Sequence, residues 1–157
     1  MKKTWYIVCG VLLFIGAFYL IYQNTSSDDL KKTINVYFDD LAVSVVGDTN
    51  YTKPTIDNTV MNNYFINFSK KNDSINYEFT VVNDGNVSMK LADMVYDFSY
   101  DKSQVQYELS YLDGSVVKKG DVLAPNTSKR MILKYSNLSD REIELRNLGL
   151  YLIYNEL

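Results

Sequence analysis

Hydrophobic positions along this chain fall into two regimes. From Trp5 to Tyr22 it runs 18 residues without a charge, and from Thr33 onward apolar and polar residues alternate with a period of two. A helix over the first run, rising about 1.5 Å per residue, just spans the ~30 Å hydrocarbon core of a bilayer. The run has no polar face of the kind a buried helix in a soluble domain would show. Trp5 and Tyr6 stand at one end and Tyr19 and Tyr22 at the other, where interfacial aromatic belts lie. Lys2 and Lys3 precede the run, and positive charge keeps that end in the cytoplasm. The expectation is a single-pass signal anchor over residues 1–24, with membrane lipid as its partner, and everything after it outside the cytoplasmic membrane. Cleavage near Thr25-Ser26-Ser27 would instead release a secreted protein.

A polar linker, residues 25–32, leads into the second regime. Ile34, Val36 and Phe38 alternate with polar neighbours. After Asp39-Asp40 the phase slips to Leu41, Val43 and Val45, which predicts a bulge or a bend between sheets. Gly47 to Asn50 reads as a turn, and Pro54 marks an edge or loop. Strands are then predicted over 63–69, at Ile75 to Val81, and at Val87 to Leu91 continuing through Met94, Tyr96 and Phe98. Further strands follow at Val105 to Tyr111 and Met131 to Tyr135. Asn83-Asp84-Gly85-Asn86 and Asp113-Gly114 supply turns. No convincing helical period occurs after residue 33, so residues 33–157 read as an all-β domain, an immunoglobulin-like or jelly-roll antiparallel β-sandwich. The closing segment, with Leu148, Leu150, Leu152 and Tyr154, is apolar on both faces. Such a strand is either central or covered. A sharper expectation puts Leu148, Leu150 and Leu152, or the strand Ile34 to Phe38, at a sheet edge that accepts a neighbour's strand.

Charge and chemistry narrow the picture. The chain carries 16 basic and 19 acidic residues, and Lys2 and Lys3 precede the apolar run, leaving 14 against 19 beyond it, a balance of −5. An acidic domain of this kind repels nucleic acid. Histidine is absent and the only cysteine, Cys9, lies in the apolar run. Zinc sites built on imidazole or thiolate, and His- or Cys-based nucleophilic catalysis, therefore have no residues to use in the domain. No catalytic residue, metal ligand or cofactor is assigned. The pairs Asp28-Asp29 and Asp39-Asp40, and the fragment Asp48-Thr49-Asn50, fall short of a calcium loop and read as solvated acids. The fourteen tyrosines divide into inward alternating ones, such as Tyr77 and Tyr107, and outward candidates Tyr37, Tyr51 and Tyr100.

Two stretches carry a resemblance. The run from Tyr77 to Leu91, with Phe79, Val81, Asn83 and Gly85, resembles the Y-x-F-x-V-x-N-x-G strand–turn–strand signature of bacterial surface immunoglobulin-like domains. Leu123 to Ser128 resembles their L-x-P-G-x-S turn, with Asn126 where glycine is usual. With the opening strand and the anchor, the exported chain is similar to small Firmicute surface proteins of the TasA/camelysin group. That resemblance implies a jelly-roll-like sandwich and a biofilm-fibre or matrix role, while one branch of the group is described as metalloproteases. The Ala-rich cleavage region of the group is missing here. The function expected is thus a membrane-anchored, non-enzymatic surface structural or interaction protein, one form of it a matrix or fibre subunit that self-assembles. The alternative is an extracellular binding module for a glycan or protein, and a camelysin-type protease ranks third because it would need zinc ligands.

Overall fold

The computed structural model describes residues 31–97 and 100–157. Lys2, Lys3, Trp5, Tyr6, Tyr19 and Tyr22 lie outside the described residues, as does Phe98. Among the described residues no helix is long and apolar enough to cross a membrane, and every regular element is a strand. These are β1 (Val36–Val46), β2 (Thr49–Tyr51), β3 (Thr55–Asp57), β4 (Val60–Phe68), β5 (Ser74–Asn83), β6 (Met89–Asp97), β7 (Val105–Tyr111), β8 (Val122–Leu123), β9 (Thr127–Asn137) and β10 (Ile143–Glu156). The unit they form begins at Thr33.

Period-two alternation buries one face of each strand, and two antiparallel sheets close over those faces as a β-sandwich. One sheet runs β1-β5-β9-β7, the other β2-β4-β10-β6-β8 with β3 also on β4. The pairings are nested: β4 with β10, β5 with β9, β6 with β8, alternating between the sheets. The middle of the chain is therefore one long hairpin, folded over on itself. Tyr64, Ile66 and Phe68 of β4, Ile75, Tyr77 and Phe79 of β5, and Leu148, Leu150 and Leu152 of β10 are all buried in the shared core.

The phase slip after Asp39 is a bulge inside β1, which stays in one sheet; the pairing jumps from Asp39–Thr80 to Ala42–Glu78. Two more bulges lie side by side. β10 gains a residue between Leu145 and Leu148, and β4 gains one between Tyr64 and Met61. Each bulge holds a residue in the left-handed region: Asp40 (φ 55°), Asn147 (φ 52°) and Asn63 (φ 57°). Asn and Asp tolerate that region better than other L-residues. Asn126, which stands where the resembling turn has glycine, adopts φ 53°.

Three buried polar side chains tie the corners. Asn83 Nδ2 donates to the carbonyls of Val87 (2.9 Å), Leu123 (3.2 Å) and Ala124 (3.1 Å), and its Oδ1 accepts from Gly85 N–H (3.1 Å). The two signature stretches are thus one structural corner, closed by a single amide. A Cβ on Gly85 would lie 2.3 Å from the Thr33 carbonyl, so glycine lets the first residues of the domain dock against this turn. Asn137 plays the same part at the other end, donating to the Lys70 and Arg141 carbonyls, each at 3.0 Å. There Asp73 accepts the N–H groups of Asp48 (3.3 Å), Ser69 (3.1 Å) and Lys70 (3.0 Å), joining two turns. Asn83, Asn137 and Asp73 are 0–1% exposed, and buried polar groups of this kind cost free energy unless so satisfied.

Tyrosines fill the space between the sheets. Tyr64 and Tyr135 share a hydroxyl–hydroxyl bond of 3.0 Å, and Tyr77 packs edge-on against both, with ring centroids at 5.1 and 6.4 Å. The Tyr77 hydroxyl is buried without a hydrogen-bond partner among the described residues. Tyr77→Phe should therefore leave the domain as stable as before, or up to about 1 kcal/mol more so. Tyr64→Phe, which removes the hydroxyl bonded to that of Tyr135, should cost about 1 kcal/mol. Urea denaturation of the two variants distinguishes them, and a larger loss for Tyr77→Phe would contradict this account of the core.

Burial raises the pKa of Tyr64, Tyr77 and Tyr135 well above the usual phenol value and that of Tyr96 to about 12. A raised folded-state pKa means stability that is full below the unfolded value near 10 and declines as pH rises through the folded values. The domain should hold through pH 9 and unfold cooperatively between about pH 10 and 12, with tyrosinate absorbance rising in step with loss of near-UV circular dichroism. Tyrosinate formation well ahead of unfolding would show that the core tyrosines are accessible.

Candidate functional site: the open edge of β1

A sheet edge exposes backbone N–H and C=O groups that pair with any extended strand they meet, and natural sandwiches cover or interrupt them. The other three edges here are interrupted or covered over part of their length. In the second sheet, β8 pairs with Met89 and Lys90 of β6 and the Asp93 carboxylate takes Met94 N–H at 2.7 Å, while the opposite edge is split into β2 and β3 around Pro54, which donates no N–H. The outer side of β7 is covered at its Leu109–Tyr111 end by its own continuation: Tyr111 N–H bonds the Ser115 carbonyl (2.8 Å) and Val117 N–H bonds the Leu109 carbonyl (3.2 Å). Gly120 and Asp121 then bond Leu91 of β6, so this segment walls off that flank. Behind it Tyr96, Tyr100 and Tyr107 stack with centroids 4.5 and 5.9 Å apart.

The fourth edge is β1, at 11 residues one of the two second-longest strands among the described residues, and it pairs only with β5. Phe38 N–H points away from β5 and bonds the Asn58 carbonyl at 2.8 Å, so that end is covered. Alternation then fixes the rest. Asp39 faces Thr80 as a bonded pair, the bulge inserts one residue, and Ala42, Ser44 and Val46 face β5 in turn. The N–H and C=O groups of Val43 and Val45 are left directed at open solvent. Their side chains point inward with Tyr77 and Ile75, yet remain half-buried because no strand lies beyond them. Leu41, like Tyr51 and Ile56 of the opposite sheet, is likewise a half-buried apolar residue packed against the core.

The segment Leu41 to Val46 bears no charge and no proline, unlike the blunted edges. Acids ring it instead: Asp39 and Asp40 before it, Asp48 after it, and Asp57 beside the covered end. All four are exposed.

The two edge expectations part ways here. Leu148, Leu150 and Leu152 are not at an edge. β10 is bonded to β4 on one side and β6 on the other, and these leucines are 0–1% exposed. A strand apolar on both faces is one that neighbours flank, and its outward residues Tyr151 and Ile153 pack with Val60 and Val95 on the sheet surface. The opening strand does form an edge, but its open part lies in Leu41 to Val46 and not in Ile34 to Phe38, where Phe38 N–H bonds the Asn58 carbonyl and the Asn35 carbonyl accepts from Asp84 N–H. What located the site, and sequence reading missed, is which strand lacks a neighbour; the only linear signal is an uncharged, proline-free segment between acids. A recess of about 540 Å³ over Val60, Val95, Tyr151 and Ile153 is another apolar feature of the surface. No group of three or more His, Cys, Asp or Glu among the described residues is placed to hold a metal ion.

Compared with protein-family models, curated proteins and solved structures, the chain matches none of them. The class is therefore set by fold and edge alone, an all-β two-sheet sandwich with one long edge uncovered.

Because Val45 N–H bonds nothing within the domain, Val45→Pro removes a donor without breaking the ladder. Ser44→Pro removes a bonded one and should destabilise the domain by about 1–3 kcal/mol more than Val45→Pro. Thermal unfolding of both variants measures the difference. Equal losses would mean that the free edge has been assigned to the wrong residues.

Proposed function

We propose that this protein is a membrane-held, non-enzymatic surface module that binds its partner by adding the partner's strand to β1. The observation that carries the reading is the open stretch of the β1 edge around Val43 and Val45. The N-terminal apolar run with Lys2 and Lys3 supports placing the domain outside the cytoplasmic membrane. The nested pairing of β4–β10, β5–β9 and β6–β8 favours the jelly-roll form of sandwich over the immunoglobulin-like one, which agrees with the resemblance to the TasA/camelysin group. Within that group the interaction role is favoured over the protease branch, since the chain has no histidine.

The open stretch of β1 also bears on assembly. Pairing of that edge with its own copy gives a closed pair, so a fibre built through it would need a captured strand.

Two measurements test this. Protease added to intact protoplasts should remove the chain beyond Asn24; full protection of the domain would reverse the orientation. In intact cells, cross-linking of the tagged full chain to its partners should be lost in Val45→Pro and kept in Val95→Lys on the opposite sheet. Retention in Val45→Pro would remove β1 from the interaction.

A further inference from the structure

Resting on that reading, we infer that the strand β1 accepts is a foreign extended segment with an apolar alternating centre and basic residues at both ends, and not the β1 of a second copy. Three features of the edge lead there.

The first is geometry. Val43 and Val45 present the free backbone groups, so an added strand has a short bonded stretch centred on them. Its alternate side chains would point the same way as Val43 and Val45, toward the core face that these valines share with Tyr77 and Ile75. Strand addition gains affinity from the backbone bonds and selectivity from such alternate pockets. β-branched or aromatic side chains suit this position, because the half-buried valines offer apolar area that is otherwise left beside water.

The second is charge. Asp39 and Asp40 lie at one end of the stretch and Asp48 at the other, with Asp57 beside Asn58. None of the four is in an ion pair among those formed by the described residues, whereas the acids on the outer sheet faces, Glu78 and Glu144, are paired with Arg130 and Arg146. A lysine or arginine at either end of an incoming strand meets a carboxylate in either strand direction.

The third is what self-pairing would bring together. Two copies of β1 can use both Val43 and Val45 in a two-fold antiparallel pair centred on Val43 or on Ser44. Either register carries Asp39-Asp40 of each copy up to Asp48 of the other, at both ends of the interface. Like charges opposite one another destabilise a strand pair. The rim that attracts a basic strand is the one that turns away a second copy.

The test uses the full-length chain in detergent micelles and two labelled peptides. Each has a centre of alternating valine and threonine, N-methylated along one edge so that it cannot stack on itself. One is flanked by two lysines at each end, its twin by two glutamates. The lysine peptide should bind roughly tenfold or more tightly than the glutamate one at low salt, and the preference should shrink toward unity at 1 M salt. Asp39→Asn with Asp48→Asn should erase the preference and leave binding of both peptides. Val45→Pro should abolish binding of both. Equal binding of the two peptides by the unaltered chain overturns the charge rule while leaving the edge as the site. Binding of neither overturns strand addition at β1 altogether. A second copy is tested by Ser44→Cys in a Cys9→Ser background: a disulfide-linked dimer formed in high yield at micromolar concentration would show that β1 pairs with itself and would overturn the inference.

Discussion

The backbone groups at the sheet edges are the constraint on which the rest of this structure turns. A two-sheet sandwich has four edges, and every edge N–H and C=O must bond to something or stay in water. Most of the irregular features of the domain are answers to that demand. Pro54 cuts one edge in two, β8 is cut to two residues, and the chain after β7 folds back so that Ser115 and Val117 bond it. The bulge at Asp39-Asp40 separates a covered half of β1 from an open half. Seen from this constraint, the open half is the part of β1 that none of these devices reaches.

Closing the flanks requires loops that hold their shape, and the buried polar side chains provide it. Asn83 joins the turn before β6 to the one before β9, and Asn137 with Asp73 fixes the far end. Because each amide or carboxylate replaces water for several backbone groups at once, removing one leaves several polar groups buried without partners. The left-handed asparagines act at the same level, letting the bulges re-aim a strand so that Leu148, Leu150 and Leu152 reach the core on one side of the bulge and Leu145 on the other.

These levels differ in how readily a sequence shows them. The class of fold was legible, because alternation is a local property: Ile75, Tyr77, Phe79 and Val81 mark one buried face without reference to any partner. The Asp39-Asp40 phase slip was legible for the same reason, and so was the turn at Asn83, whose side chain bonds its own neighbourhood. Strand neighbours are not local. Leu148, Leu150 and Leu152 and the strand with Val43 and Val45 are both apolar, and only the order β4-β10-β6 against β1-β5 decides which is flanked on both sides. The apolar two-faced character of β10 favoured the interior, and the structure bears that preference out against the edge alternative. Asn137 bonds its own neighbourhood as Asn83 does, at Ser139 and Arg141, but its tie to the Lys70 carbonyl, 67 residues away, joins turns that no linear pattern links.

An open apolar edge is ordinarily an aggregation hazard, so its survival here needs a physical reason other than the shortness of the stretch. Lysine is the usual guard on such edges, but Leu41 to Val46 has none, and the guard stands at the ends as carboxylates. A lysine inside the strand would hinder every approaching strand alike, since its long side chain and charge sit on the pairing line itself. Acids at the ends act only on what lies opposite them, so the barrier depends on the partner: repulsive toward another copy of this acidic domain, attractive toward a basic segment. Net charge works in the same direction at longer range, because a domain with an excess of carboxylates repels its own kind before any strand can align. On the proposed reading, the same few aspartates separate two requirements that usually conflict, an edge free enough to bind and a protein that does not polymerise through it.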